Sequence, residues 1–170
     1  ARRVGGLLLL LLGFFLVIST ISHLFTGTAD QSALAGSLSP DEAPAPVRNW
    51  AGSLGAYFGQ LLITKGFGYV ALMLPFFILL LGWAVFKNAF WKDVRTVFPL
   101  LFFALYWCAM AGDLVDRIFD IATRDLGGDI GNSLNDWLGH YIGRIGVGAL
   151  LLFTAVGFAI VRFNDQLKFV

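Results

Sequence analysis

A chain of 170 residues that is 58% hydrophobic and only 14% charged, with a mean hydropathy of +0.77, lacks the charge of a water-soluble domain, in which about a quarter of residues are ionised. The deficit points to a bilayer, and 17 phenylalanines with 5 tryptophans suit a lipid-facing surface and its two interfaces. A net charge of +1 without clustered Lys and Arg excludes a nucleic-acid-binding face, and a single cysteine, Cys108, excludes an internal disulfide.

The first apolar run, VGGLLLLLLGFFLVISTISHLF from Val4 to Phe25, has the roughly 20 residues that a spanning helix needs. Arg2-Arg3 ahead of it, and Ala33-Leu34-Ala35 beyond it, also suggest a cleaved signal peptide. The run is longer than the about 7–15 residues of a signal h-region, so a retained span is expected. The chain does not open with Met, and a preceding segment is expected to have been trimmed. His23, near the end of this run, reads as a hydrogen-bonded boundary residue rather than a ligand. From Thr26 to Arg48 the sequence is rich in Ser, Ala, Pro and acids with no apolar periodicity, which predicts an irregular or partly disordered loop.

NWAGSLGAYFGQLLIT, Asn49 to Thr64, reads as a short apolar helix at the outer interface. Asn49 is a plausible N-cap, and Trp50 and Tyr57 suit interfacial depth. Lys65-Gly66-Phe67-Gly68 is expected to be the joint into the second span, unless one long helix runs through it. It is not a phosphate-binding loop, because Lys65 precedes Gly66 and no Ser or Thr follows. The second span covers residues 66–86, with a kink predicted at Pro75. The third covers 96–114 and contains Pro99 and Cys108, whose thiol is expected to be buried and inert.

Asp113 and Arg117, and Asp120 and Arg124, are each four apart and can pair along a helix, while Val115, Ile118, Phe119 and Ala122 form an apolar stripe. This segment continues span three or lies on the membrane. Asp113 and Asp116 could form a proton or cation site, although a solvated interface ion pair fits their place at the span's end. The fourth span covers 145–163. Outer loops therefore occupy 26–65 and 115–144.

Placing both termini on one side gives that side seven of the twelve basic residues (Arg2, Arg3, Lys87, Lys92, Arg95, Arg162 and Lys168) and only Asp93 and Asp165 of the eleven acids. The positive-inside rule then predicts cytoplasmic termini. The fold class is all-α integral membrane, four spans, N-in and C-in, with extra short helices at the outer interface. His23 and His140 with one cysteine make no zinc spacing, and no G-x-S-x-G elbow occurs, so no catalytic, cofactor or metal residue is expected. Small residues remain. Gly55 and Gly59, and Gly139 and Gly143, are each four apart, and Gly146 and Gly148 lead into span four. These let backbones approach, and the two outer segments, or two subunits, are the expected partners. The same glycines could instead only break and bend helices.

The order of NWAGSLGAYFG (49–59), KGFGYVALMLP (65–75) and GGDIGNSLNDWLGHYIGRIG (127–146) resembles the N-terminal four-span domain of the FtsK/SpoIIIE family of bacterial DNA translocases. Asn49, Gly52, Gly55, Ala56, Gly66, Gly68, Pro75, Gly127, Gly128, Gly131, Leu134, Gly143 and Gly146 carry the likeness. The resemblance implies a membrane anchor and septal scaffold in the bacterial inner membrane, acting in cell division and chromosome segregation. It would tether a cytoplasmic ATP-driven DNA pump lying C-terminal to residue 170. ATP and Mg would belong to that motor. The implied partners are the lipid bilayer, other division proteins and further copies of the chain, a hexamer among the options, with no direct nucleic-acid contact by this segment. Two other classes compete: a small transport or channel component, which needs polar residues lining its spans, and a lipid-modifying enzyme, for which His140 with Asp136 is the candidate pair.

Overall fold

A computed structural model describes residues 2–36, 46–87, 91–119 and 126–167. Nearly all of its described residues are helical, and none forms a strand. They run in the order α1 (Arg2–Gly36), α2 (Gly52–Gly59), an irregular joint, α3 (Met73–Lys87), α4 (Trp91–Phe119) and α5 (Gly128–Leu167). Four stretches are long and apolar enough to cross a membrane: Arg2–Ala33, Gly52–Lys87, Val97–Phe119 and Gly128–Val161. Their flanks are unlike those of a soluble bundle. Leu8, Phe14, Leu80, Phe102, Leu152 and Phe153 all lie exposed, as lipid-facing side chains must.

The helices alternate in direction and pair in two halves, α1 with α3 and α4 with α5. Glycine sets the first pairing. A Cβ on Gly6 would lie 2.7 Å from the Phe86 nitrogen, and one on Gly82 would lie 2.8 Å from that of Leu10. Gly13, seven residues after Gly6 and on the same face, receives Leu79. The second pair is held by bulk. Phe103 stacks on Phe158 with centroids 4.2 Å apart, and the Trp107 indole N–H donates to the Leu151 carbonyl (3.0 Å). Between α3 and α4 contact is sparse, leaving an apolar groove floored by Phe76, Phe77 and Leu101. Cys108 is half-buried rather than enclosed.

Three expectations change. First, α1 does not stop near Phe25. It continues to Gly36, about 52 Å in all, so residues 26–36 of the expected irregular loop are helical. The rest of that loop up to residue 45, and the Asp120–Arg124 pair, lie outside the described residues. Second, the irregularity of the second span falls before Pro75, not at it. Wide π-type turns cover Gln60–Phe67 and a 3-10 turn covers Gly68–Leu72. Pro75 is buried in the first turn of α3, where a missing N–H leaves no bond unmade. Third, Asn49 is not an N-cap. The capping position of α2 is Ala51, and no side chain bonds there. α5 likewise contains one break, at Gly143 (φ 69°, ψ 169°), separating 128–142 from 144–167.

A candidate structural site where four helices meet

Two polar clusters and one glycine junction gather at the end of the bundle opposite Arg2 and Lys87. Hereafter this is the loop end. The first cluster is a seam between the last turns of α1 and the chain from Arg48 to Thr64. Ser19, Thr20, Ser22, His23 and Asp30 of α1 are all buried there. In an apolar medium each hydroxyl needs an acceptor, and Ser19 and Thr20 donate to the Phe15 and Leu16 carbonyls (2.8 Å each). Ser22 Oγ instead accepts the Trp50 N–H (2.9 Å). Asn49 makes an Asx-type turn, its Oδ1 accepting the Ala51 N–H (3.0 Å), while its Nδ2 donates to the Ser19 carbonyl (3.1 Å). Asp30 accepts the Thr26 hydroxyl (2.5 Å) on one oxygen and the Arg48 backbone N–H (2.7 Å) on the other.

His23 sits at the centre of this seam. Its Nε2 lies 3.2 Å from Thr64 Oγ1, and Gln31 Nε2 donates to that same oxygen (3.0 Å). Two glycines make the room. A Cβ on Gly27 would meet the imidazole at 2.9 Å, and one on Gly59 would meet the His23 Cβ at 2.7 Å. Gly59 therefore packs on α1 and not on the 137–143 segment. Gly55 faces Asn49 and Ala51, and Ala56 between them is fully buried.

The glycine junction joins the two halves of the bundle. At the joint Gly66 leaves helical geometry (φ −97°, ψ −123°), and Gly68 takes φ 70°, ψ −155°, a combination open essentially to glycine alone. The turn at the start of α5 docks onto it. A Cβ on Gly128 (φ +62°) would collide with the Gly66 carbonyl and come within 2.5 Å of the Gly68 nitrogen and 2.6 Å of the Ile63 carbonyl. On the other side, Cβ atoms on Gly127 and Gly131 would run into the Ala109 backbone of α4. Five of the expected signature residues thus meet at one place, backbone against backbone. Gly52 (φ +69°), Gly139 and Gly143 (φ +69°) have no atom within 4 Å of a would-be Cβ, and the atoms nearest one on Gly146 belong to Ile142, across the break at Gly143. No contact of Gly139 or Gly143 with the Gly55–Gly59 segment exists.

A second polar cluster locks α4 to α5 beside this junction. Arg117 is the hub. Its Nε–H donates to Asp113 (2.7 Å) and one terminal nitrogen to Asp136 (2.6 Å), while the other reaches the Asn132 side chain and its carbonyl. Asn135 Nδ2 donates to both Asp113 (2.7 Å) and the Met110 carbonyl (2.8 Å). Asp113 retains only 12% side-chain exposure and Arg117 24%, so the expected solvated pair is in fact largely buried. Val115, Ile118 and Phe119 face outward on the same helix, which runs on from span three without a break.

The remaining candidates stand apart. His140 is exposed and edges onto Tyr141, while Asp136 is engaged by Arg117. Among the described residues, no group of three or more His, Cys, Asp or Glu side chains is placed to hold a metal ion. What the arrangement does chemically is hold helices together by hydrogen bonds and close backbone contact. Sequence reasoning missed Gly6 and Gly13, whose seven-residue spacing was visible, their partner Gly82, and the partnership of His23 with Thr64, for which no local signal exists.

A family model described as the 4TM region of DNA translocase FtsK/SpoIIIE matches residues 1–168. A DNA translocase FtsK of Shewanella oneidensis is 22% identical over 169 residues, which cover 94% of this chain; the chain spans 18% of that relative's length. No solved structure matches.

Proposed function

The chain belongs to the family of the 4TM region of the DNA translocases FtsK/SpoIIIE, and from that premise we propose that it is the membrane anchor of such a translocase, holding a cytoplasmic ATP-driven DNA motor at the bacterial inner membrane. The motor, with its ATP and Mg, lies outside the 170 residues. Both termini face the cytoplasm in this reading, and the anchor gathers at the division septum with other division proteins and further copies of itself, as a homo-oligomer such as a hexamer. This segment contacts lipid and protein, not DNA.

One observation carries the reading: the family match runs over residues 1–168, the whole of the four-span fold. The loop-end geometry supports it physically. An anchor for a motor must resist pulling along its helices. Helices joined through backbone contact at Gly127, Gly128 and Gly131, with a hub such as Arg117 alongside, deform little under load. Following a fluorescent fusion of the full-length protein in dividing cells tests the septal role. The expected result is a band at the constriction that disappears when residues 1–170 are replaced by an unrelated four-span segment. Uniform labelling of the envelope by the unaltered fusion overturns it. Reporter fusions before Arg2 and after Val170, active only in the cytoplasm, test the topology separately.

A further inference from the structure

At the end of the bundle opposite the loop end, the first turn of α1 and the last turn of α3 border an open cavity of about 270 Å³ lined by Arg2, Arg3, Val85, Phe86 and Lys87. Basic side chains from two helices line it, Arg3 and Lys87 among them, and no acidic side chain among the described residues does. We propose that this cavity binds the phosphodiester headgroup of an anionic phospholipid, with Arg3 and Lys87 as its principal ligands. The proposal rests on the membrane reading of the fold and not on the septal role.

The cavity is built rather than accidental. Gly6 lets α1 approach within backbone contact of Phe86, one residue before Lys87. That approach brings the two basic ends together and fixes the space between them. An anion seated between Arg3 and Lys87 is attracted by both charges. Guanidinium groups match phosphate oxygens by geometry as well as by charge.

The surroundings suit a lipid better than a free anion. Val85 and Phe86 give the cavity an apolar wall. Leu7, four residues after Arg3 and on the same face of α1, is exposed to the hydrocarbon. A lipid with its phosphate on Arg3 and Lys87 can therefore lay its acyl chains along α1 without a break. Trp83 marks the depth. It is half exposed, stacks on Phe86, and holds the Lys87 ammonium 5.0 Å from its ring centroid, the placement of an indole at the headgroup boundary.

The test uses the protein purified in detergent with equimolar phosphatidylglycerol and phosphatidylcholine, reading by native mass spectrometry the ratio of the two lipids retained. A basic side chain near the surface favours anionic lipid by roughly fivefold, so Arg3→Gln with Lys87→Gln should lower the ratio by about 25-fold. The charge-preserving pair Arg3→Lys with Lys87→Arg should keep most of it. Lys65→Gln with Arg144→Gln, removing the same charge from exposed loop-end positions, should leave it unchanged. An equal fall in this last pair, or no fall in the first, overturns the proposal. Displacement of the lipid by inorganic phosphate also overturns it, as the mark of a free-anion site. A second measurement needs no change of charge. Emission from Trp83, defined by its loss in Trp83→Phe, should be quenched more by headgroup spin-labelled phosphatidylglycerol than by phosphatidylcholine labelled in the same way. Equal quenching refutes the site.

Discussion

Replacing Gly128 by alanine adds one methyl group where the two halves of the bundle touch. Two costs follow. At φ +62° a residue with a Cβ pays about 1–2 kcal/mol for left-handed geometry. The methyl would also meet three backbone atoms, of Gly66, Gly68 and Ile63, none of which can swing aside as a flexible side chain would. Overpacking of this kind costs about 1–3 kcal/mol, and the expected loss is about 2–5 kcal/mol in all. Gly52→Ala is the matched control: its φ is +69° but no atom lies within 4 Å, so only the conformational cost of about 1–2 kcal/mol applies. The loss of backbone freedom in the unfolded chain acts on both variants and cancels. Gly131→Ala completes the set, because its methyl would strike Ala109 without a positive φ. The assay is reversible unfolding in mixed micelles by increasing denaturing detergent, followed by far-UV circular dichroism. Gly128→Ala should fall below Gly52→Ala by about 1–3 kcal/mol, and Gly131→Ala should show the packing cost alone. If Gly128→Ala and Gly52→Ala agree within about 0.5 kcal/mol, the junction does not bear on Gly128 and the reasoning fails.

The same unfolding assay reads the other predictions. In double-mutant cycles, Arg117→Gln should couple to Asp113→Asn by about 1–2 kcal/mol, because that pair is largely buried. Its coupling to Asp136→Asn, whose side chain is 62% exposed, should stay below about 0.5 kcal/mol; the reverse order would contradict the assignment of Asp113 as the structural partner. Asn49→Ala removes both the turn bond to Ala51 and the bond to Ser19 and should cost about 1–3 kcal/mol. Thr64→Val keeps the shape but leaves His23 and Gln31 without their shared oxygen, for a loss of about 1–2 kcal/mol. Gly6→Ala should destabilise by about 1–3 kcal/mol through the Phe86 backbone, whereas Gly5→Ala, which meets nothing within 4 Å, should be neutral or slightly stabilising.

Much of the loop end was hidden from sequence reasoning for a physical reason. Hydrophobic periodicity finds a helix by its apolar face, and α1 beyond Phe25 has none. Its buried positions there, among the described side chains, are Gly27, Asp30 and Ala33, continuing from His23. The helical spacing exists, but it is written in small and polar residues whose burial depends on partners such as Arg48 and Thr64 far along the chain. Asn49 misled for a related reason. Asn before a helix reads as a cap, yet this side chain closes a turn on Ala51 and reaches across to Ser19. Gly55 and Gly59 were legible as a close-packing face, but spacing alone names no partner, and the 137–143 segment offered an equally plausible glycine pair.

Composition and run length alone determined the class of this protein. Twenty-residue stretches without charge have no stable place outside a bilayer, and within one the backbone must form helices. The position of the break at Gly66–Gly68 was also readable, since such dihedrals need glycine. Only the tertiary structure decided that the turn at Gly127–Gly131 docks onto that break, that His23 lies between Gly27 and Gly59, and that Arg117 binds α5 as well as its own helix. Those outcomes depend on which surfaces meet. Between apolar helices in lipid that choice is set by shape and by a few hydrogen bonds, neither of which is encoded by any residue in isolation.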